Sequence, residues 1–116
     1  MNIVTPTKTK VETSGDLAVM RFEGDITSHS EEAVLGKYKE FGAGTAKILL
    51  DFTKVPYLNS SGIALVIQLL MAASKVPQKV VCFGLSAHFV KVFTMLGLAK
   101  YTTLHADEAA AKTAVQ

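Results

Sequence analysis

Two short, almost uninterrupted apolar segments constrain the fold of this chain more than any other feature. Residues 47–52 and 79–84 have the length of β-strands and few polar side chains, which is typical of strands covered on both faces of a sheet. Each is followed by a helix-like segment: the first comes after the polar residues 59–62 and ends near residue 74, and the second covers residues 86–96. Parallel strands need such crossover connections, so the pattern predicts a parallel sheet with helices packed over it.

Weaker patterns extend this arrangement at both ends of the chain. Three further strands are predicted, at residues 8–12, 17–23 and 100–104. Two further helices are predicted, at residues 28–41 and 107–112. The first two strands flank a cluster of turn-forming residues and should form a hairpin. We therefore predict an α/β fold in the order ββαβαβαβα, with a mixed, mostly parallel β-sheet of about five strands and about four helices.

Capping and packing signals add detail to the helices. Ser28 and Glu31 have the spacing of a capping box at the start of the first helix. The apolar side chains of the second helix cover most of its circumference, which predicts that this helix is largely buried. In the third helix, Phe89, Phe93 and Leu96 form a seam at positions i, i+4 and i+7 that should face the core.

Length and composition limit what such a fold can do. The 116 residues fit a single domain, 1–116, of which residues 1–7 are expected to be flexible. Cys82 is the single cysteine, so neither an intramolecular disulfide nor a cysteine-based zinc site can form. A net charge of +2 is too small for binding along a phosphate backbone, which argues against nucleic acid as a partner. No apolar stretch reaches the ~20 residues of a membrane span and no signal peptide is present, so we expect a cytoplasmic protein without direct membrane insertion.

Charge is distributed unevenly between the two halves of the chain. Residues 1–58 hold seven basic and eight acidic side chains, whereas residues 59–116 hold five and two. The asymmetry favours an acidic partner surface for the second half, with more influence on association rate and salt dependence than on affinity.

The polar corner before the second helix, Asn59-Ser60-Ser61-Gly62, is the most unusual motif of the chain. Asn59 or Ser60 can accept a hydrogen bond from a free amide of the first helical turn, which is the ordinary role of such residues. A phosphoserine would also suit this position, because helix N-termini stabilise the charge of about −1.5 to −2 that phosphate brings. The local pattern leaves both interpretations open.

Five segments, in this order and spacing, resemble the STAS domain, and within it the stand-alone anti-sigma-factor antagonists of bacteria. They are FEGDI at 22–26, ILLDF at 48–52, LNSSGI at 58–63, FGLS at 83–86 and VFTMLGL at 92–98. The resemblance covers nearly the whole chain and implies a mixed sheet with helices on one side. It also implies a regulatory protein that binds a kinase-type anti-sigma factor and so frees a sigma factor. In that family the kinase phosphorylates a serine of the antagonist, and a phosphatase removes the phosphate.

The resemblance assigns roles to individual residues. The phosphorylated serine of the family motif Asp-Ser-Ser/Thr-Gly maps onto Ser60, with Ser61 as the fallback. The sequence departs from the family pattern at Asn59 and Thr27, where many members have aspartate. Asp51 either orients the loop or a partner, or only makes hydrogen bonds within the loop. The partner-binding residues implied are Asp25, Thr27, Asp51, Asn59, Ser60, Ser61 and Gly62.

The residues offer no support for catalysis or for a cofactor. The G-x-S-x-G elbow is absent and His29, His88 and His105 are dispersed without a matched acid, so no catalytic residue is assigned. The same histidines lack metal-ligand spacing, and the glycines lack the dinucleotide-binding pattern, so neither a metal nor a cofactor is expected. The alternative to a phosphorylation switch is a constitutive scaffold subunit of a lipid-transport or stress-sensing complex, roles in which small STAS-like domains also serve. Asn59 favours that alternative.

Overall fold

The computed structural model describes residues 6–116, within which the chain forms five strands and four α-helices. The strands are β1 (Lys8–Ser14), β2 (Leu17–Glu23), β3 (Lys47–Lys54), β4 (Lys79–Phe83) and β5 (Leu104–His105). The helices are α1 (Lys37–Phe41), α2 (Ser60–Ala73), α3 (Ala87–Met95) and α4 (Glu108–Ala114). The predicted order ββαβαβαβα is confirmed. Residues 1–7 are predicted to be flexible, and residues 1–5 of this range lie outside the described residues. Within the described part, the Thr7 hydroxyl donates a hydrogen bond to the Asp25 carbonyl (2.6 Å).

The strands form one mixed sheet in the order β1-β2-β3-β4-β5. β1 and β2 are antiparallel, and every other neighbouring pair is parallel. The loop of the hairpin has two residues, of which Gly15 adopts a φ of +60°, a conformation that favours glycine. The hairpin and the mostly parallel sheet are thus confirmed, and β3, one of the two apolar segments, lies at the centre.

Side chains that alternate along the central strands divide the core in two. Leu50, Phe52 and Cys82 face the layer formed by α2 and α3, whereas Leu49 and Val81 face the C-terminal helix α4. The expectation that helices cover one side of the sheet is therefore correct for α2 and α3 but wrong for α4. The physical reason is that both faces of β3 and β4 are apolar, so each face needs a cover.

The first helical region is less regular than predicted. In place of one helix over residues 28–41, the chain forms a 3₁₀ turn (Ser28–Ser30), a π-helical segment (Glu32–Gly36) and then α1. The 3₁₀ turn Gly42–Gly44 follows α1 and leads to β3. The region is helical throughout, so the periodicity located it correctly, but periodicity does not distinguish 3₁₀, α and π hydrogen bonding.

The capping box predicted for Ser28 and Glu31 is wrong. Thr27 is the N-cap: its hydroxyl accepts a hydrogen bond from the His29 amide (3.2 Å), and the Ser30 hydroxyl accepts one from the Thr27 amide (2.8 Å). Thr27 has the extended backbone of an N-cap residue, whereas Ser28 already lies inside the turn.

α2 is amphipathic rather than largely buried. Leu65, Val66, Leu69 and Leu70 are buried against the sheet, but the side chain of Met71 is 44% exposed. Only one side of the helix contacts the sheet, so the prediction of a largely buried helix is wrong for its outer side. No helix in residues 6–116 has the length and apolar character needed to span a bilayer.

The end of α3 explains a second error in packing. Phe89 and Phe93 are buried as predicted, but Leu96 is 50% exposed because α3 ends one residue before it. Gly97 then takes a left-handed conformation (φ +73°) that reverses the chain, and Leu98 enters the core instead. A 3₁₀ turn over Leu98–Lys100 follows, so the last strand is much shorter than predicted.

Candidate functional site

The polar corner lies where two loops run side by side at the carboxyl end of the sheet. One loop follows β2 at residues 24–27, and the other joins β3 to α2 at residues 55–59. Two backbone hydrogen bonds join the loops, from the Ile26 amide to the Tyr57 carbonyl (3.0 Å) and from the Asn59 amide to the Ile26 carbonyl (3.2 Å). A third, from the Gly24 amide to the Lys54 carbonyl (3.0 Å), joins the first loop to the end of β3. The two loops therefore continue the pairing of β2 with β3 and act as one unit.

Gly62 brings the first turn of α2 against the loop at residues 24–27. A Cβ atom placed on Gly62 would lie 1.9 Å from the Ile26 carbonyl oxygen and 2.5 Å from its carbon. These distances are far inside van der Waals contact, so only glycine allows this approach. The start of α2, including Ser60, is thereby held at a fixed position beside the loop.

Asn59, not Ser60, caps α2. Its backbone is extended and its Oδ1 atom accepts a hydrogen bond from the Gly62 amide at 2.8 Å. Ser60 is the first helical residue, and both Ser60 and Ser61 are exposed. The cap and the candidate phosphoacceptor are therefore different residues, and the Ser60 side chain faces solvent at a helix N-terminus.

The cap makes a measurable contribution to stability. Replacing Asn59 with alanine should lower the free energy of unfolding by about 1 kcal/mol, because the first turn loses its side-chain acceptor. Asn59→Asp keeps the acceptor and adds a charge that the helix dipole stabilises, so it should be at least as stable as the wild type. Urea denaturation followed by circular dichroism measures both. Equal stability of the alanine and aspartate variants would contradict this role of Asn59.

Asp25 and Thr27 shape the neighbouring loop. Thr27 is buried, with 6% exposure, and its polar groups are used in the capping box with Ser30. Asp25 is half-buried, and its carbonyl accepts hydrogen bonds from the hydroxyls of Thr7 and Ser30. Both residues lie in the loop that contacts α2, and their direct contact with a partner stays a prediction.

Asp51 lies apart from this corner. Its side chain shares the face of the sheet that α4 covers, where Oδ2 accepts a hydrogen bond from Nη1 of Arg21 at 2.9 Å. Its Oδ1 accepts one from the Thr53 amide at 2.8 Å. Asp51 therefore makes its hydrogen bonds within the sheet, to Thr53 of β3 and Arg21 of β2, rather than within the loop before α2. A contact between Asp51 and a partner stays a prediction.

Arg21 connects Asp51 to α4. Its guanidinium also forms ion pairs with Glu12 (2.9 Å) and Glu108 (2.8 Å). The hydrogen bond from Arg21, followed by that from Lys112, lowers the pKa of Glu108 to about 2. The hydrogen bonds to Glu108 and Glu12 also raise the pKa of Arg21 above its ordinary value. This cluster fastens the first turn of α4 to the sheet, and it is visible only once the register of β2 against β3 is known.

The low pKa of Glu108 gives a pH dependence of stability. The folded-state pKa lies below the ordinary value of 4.5, so Glu108 stabilises the fold above about pH 4.5 and loses this effect as the pH falls towards 2. Its side chain is 31% exposed, so we expect Glu108→Gln to cost only about 1 kcal/mol at pH 7. Urea denaturation between pH 7 and pH 2 should show this difference shrinking below pH 4.5.

Glu40→Gln is the matched control. Glu40 is an exposed carboxylate, and its Oε2 atom lies 3.5 Å from Nζ of Lys37. Its effect should be smaller than that of Glu108→Gln. A difference between wild type and Glu108→Gln that is constant across the pH range would contradict the ion-pair account.

Tyr57 is a surface residue of the corner that is not among the predicted site residues. Its side chain is 52% exposed, and its ring lies edge-on to Phe89 with centroids 6.3 Å apart. The Tyr57 carbonyl accepts the hydrogen bond from the Ile26 amide, so the ring stands beside the paired loops. Exposed aromatic side chains are enriched at protein interfaces. An aromatic residue in a short loop before a capped helix is the sequence signal that points to it.

The described residues provide neither a metal site nor a reactive thiol. Within residues 6–116, no group of three or more His, Cys, Asp or Glu side chains is arranged to hold a metal ion. Cys82 is fully buried, and burial raises the pKa of its thiol to about 12. The thiol is therefore protonated and unreactive at neutral pH.

A protein-family profile matches most of the chain. The sequence profile of the STAS domain matches residues 8–111. No curated protein sequence matches the chain at the significance required.

The solved structures that share this fold include three of anti-sigma factor antagonists. The anti-sigma factor antagonist SpoIIAA in its unphosphorylated form has a TM-score of 0.71 and 22% sequence identity, over 92% of this chain and 96% of that chain. SpoIIAA in its phosphorylated form, a Bacillus cell fate determinant, has a TM-score of 0.70 and 22% identity, over 91% and 98%. An anti-sigma factor antagonist from Mycobacterium paratuberculosis has a TM-score of 0.73 and 22% identity, over 97% and 98%. At this level of identity the likeness establishes the fold.

Proposed function

The chain belongs to the STAS domain family, and from this premise we propose that it acts as a non-enzymatic anti-sigma-factor antagonist in the bacterial cytoplasm. In this proposal it binds a kinase-type anti-sigma factor through the corner around Ser60 and so frees a sigma factor. Phosphorylation of Ser60 by the kinase ends the complex, and a serine phosphatase restores binding.

The observation that carries the proposal is the exposed Ser60 side chain at the first position of α2. A kinase needs access to the hydroxyl, and burial would prevent it. The first-turn amides of a helix attract phosphate, so the modified side chain is stabilised where it stands. Asn59 already satisfies the Gly62 amide, which leaves the hydroxyl of Ser60 out of the cap.

The uncharged Asn59 sharpens the electrostatic contrast between the two states. The first turn of α2 contains no acidic residue, and Asn59 caps it without charge. A phosphoserine at Ser60 would therefore change this turn from uncharged to about −1.5 to −2. Such a change is large enough to repel a partner surface that fits the unmodified corner.

The rigidity of the corner also supports a role in docking. Interfaces between pre-organised proteins change little in backbone when they form, and less ordering entropy is lost. Here the loop at residues 24–27, the loop at residues 55–59 and the first turn of α2 are joined by hydrogen bonds and by the contact of Gly62 with Ile26. A partner would meet a preformed surface, with Ser60 and Tyr57 exposed on it.

Phosphate mapping tests the proposal. Each kinase-type anti-sigma factor encoded in the source genome is incubated with the protein and ATP, and the site of modification is located by mass spectrometry. We expect phosphate on Ser60 with one of these kinases, loss of it in Ser60→Ala, and its retention in the matched variant Ser61→Ala. Phosphate only on Ser61 would move the acceptor by one residue and overturn the assignment to Ser60.

The asparagine at position 59 also favours the scaffold alternative, because many family members have aspartate at this position of the phosphorylation motif. Purification of the protein from cells without added ATP separates the two functions. A kinase that leaves the complex when ATP is added supports the switch. A transporter or multi-subunit assembly that stays bound with ATP, with no phosphate on either serine, supports the scaffold.

A further inference from the structure

An apolar groove lies between α3 and the segment that leads into β5. It has a volume of about 340 Å³. Its lining is Val90, Phe93, Thr94, Leu98, Ala99, Thr102, Thr103 and Leu104. Phe93 and Leu98 are buried and form its floor, whereas Val90 and Thr94 belong to the exposed side of α3. The groove is separate from the Ser60 corner, none of whose residues line it.

Exposed apolar side chains lie within or next to the chain segments that line this groove. Met95 is 84% exposed, Leu96 is 50% exposed, and Val90 and Tyr101 are each 37% exposed. These four account for most of the large hydrophobic side chains that are exposed in the described residues. Apolar side chains clustered in this way on a soluble fold mark an interaction surface, whereas scattered ones do not.

The stretch of chain that supplies the whole lining of the groove carries charge of one sign. Residues 52–106, which include all of α2, β4, α3 and β5, contain five lysines and no aspartate or glutamate. Lys91 and Lys100 are both exposed, and each is the sequence neighbour of a residue that lines the groove, Val90 and Ala99 respectively. A surface that is apolar and cationic is complementary to one that is apolar and acidic.

The same charges argue against two other occupants. A symmetric dimer through this face would bring Lys91 and Lys100 of one copy towards those of another, and like charges repel. An anionic membrane is bound by clusters of about four to eight basic residues, whereas residues 90–104, which line this groove, contain two lysines. The groove is also concave, which suits inserted side chains of a protein better than a lipid surface.

We propose that α3 and this groove form a second docking surface, which binds an acidic amphipathic helix of a partner protein. The apolar side chains of the helix enter the groove, and its acidic side chains pair with Lys91 and Lys100. The proposal does not depend on the function assigned to Ser60, because no step uses that residue.

Binding of synthetic peptides tests this docking surface. The probe is an 18-residue amphipathic peptide of leucine and glutamate, and its counterpart carries lysine at every glutamate position. Binding is measured by NMR titration of the full chain, with resonances assigned. We expect the acidic peptide to shift resonances of Val90, Thr94 and Thr103, and the affinity to fall about tenfold between low and high salt. The lysine peptide should leave these resonances unchanged.

Variants of exposed residues connect the binding to the groove. The double substitution Lys91→Glu with Lys100→Glu should weaken binding of the acidic peptide at least tenfold, and Val90→Ser should weaken it about threefold. The matched control is Lys39→Glu, which makes the same charge change on α1, an element that does not line the groove. It should alter binding less than twofold, and circular dichroism should show all variants folded.

Three results would overturn the proposal. The first is equal binding of the acidic and lysine peptides, and the second is a set of shifts outside α3 and the groove. The third is binding of a different occupant to the same surface. A membrane occupant would be indicated if vesicles of phosphatidylcholine and phosphatidylglycerol shift the same resonances more strongly than the acidic peptide. A second copy of the chain would be indicated by concentration-dependent dimerisation in sedimentation velocity that Lys91→Glu abolishes or enhances. Phosphorylation of Ser60 is measured separately, so failure here leaves the proposed function standing.

Discussion

Replacing Gly62 with alanine should lower the free energy of unfolding by about 2 kcal/mol, although alanine is the better helix former. The added methyl group would lie 1.9 Å from the Ile26 carbonyl oxygen, so the backbone of α2 or of the loop must move. Overpacking of this kind costs about 3 kcal/mol, and the gain in helix propensity returns only about 1 kcal/mol of it. The midpoint of thermal unfolding should fall by roughly 10 °C.

Gly44→Ala is the matched control for this substitution. A Cβ atom on Gly44 would have no atom within 4 Å, and its backbone does not have a positive φ. Its stability should equal that of the wild type or exceed it slightly. Denaturation in urea compares the three proteins. If Gly62→Ala were as stable as Gly44→Ala, then the close packing of α2 against the loop would not hold the corner together.

Ser60→Asp should weaken binding of the kinase-type partner by about 10-fold to 100-fold, whereas Ser60→Ala should change it less than about threefold. Aspartate brings only part of the charge of phosphate, so this effect is smaller than that of the modification itself. The serine hydroxyl does not cap α2, so its loss in Ser60→Ala leaves the helix start intact. Isothermal titration calorimetry with the purified partner measures all three affinities.

Ser74→Asp controls for added negative charge. Ser74 is an exposed residue at the opposite end of α2, about 20 Å from Ser60 along the helix axis. We expect this variant to bind the partner as the wild type does. Equal affinities for Ser60→Asp and Ser60→Ala would contradict a docking surface at the corner, and equal losses for Ser60→Asp and Ser74→Asp would show a general charge effect instead.

Much of the fold could be predicted from local patterns. The apolar runs that become β3 and β4 are confirmed, as are the hairpin, the position of α2 and the core side chains Phe89 and Phe93 of α3. The errors lie where a choice between neighbouring residues depends on distant contacts. Leu96 continues the period of α3, but Gly97 reverses the chain and Leu98 fills the core position.

The sequence predicted most of the residues that form the candidate site, but only part of their arrangement in space. The polar corner is confirmed as a helix start with exposed serines, and the choice between Asn59 and Ser60 as cap required the backbone conformation. Gly62 was identified from its motif, but the reason for a glycine there is the Ile26 carbonyl, from a loop some 36 positions earlier in the chain. The family resemblance grouped Asp51 with the corner, yet its side chain pairs with Arg21 on the face of the sheet that α4 covers.

By itself, the sequence determined the order of strands and helices, the single sheet with parallel strands at its centre and the helix start that carries Ser60. Those features follow from periodicity and turn chemistry, which act over a few neighbouring residues. Only the tertiary structure decided that Gly62 meets Ile26, that α4 covers the second face, and that Arg21 gathers acidic side chains from three elements. These depend on strand register and on which face each side chain takes, so residues far apart in the chain decide them together.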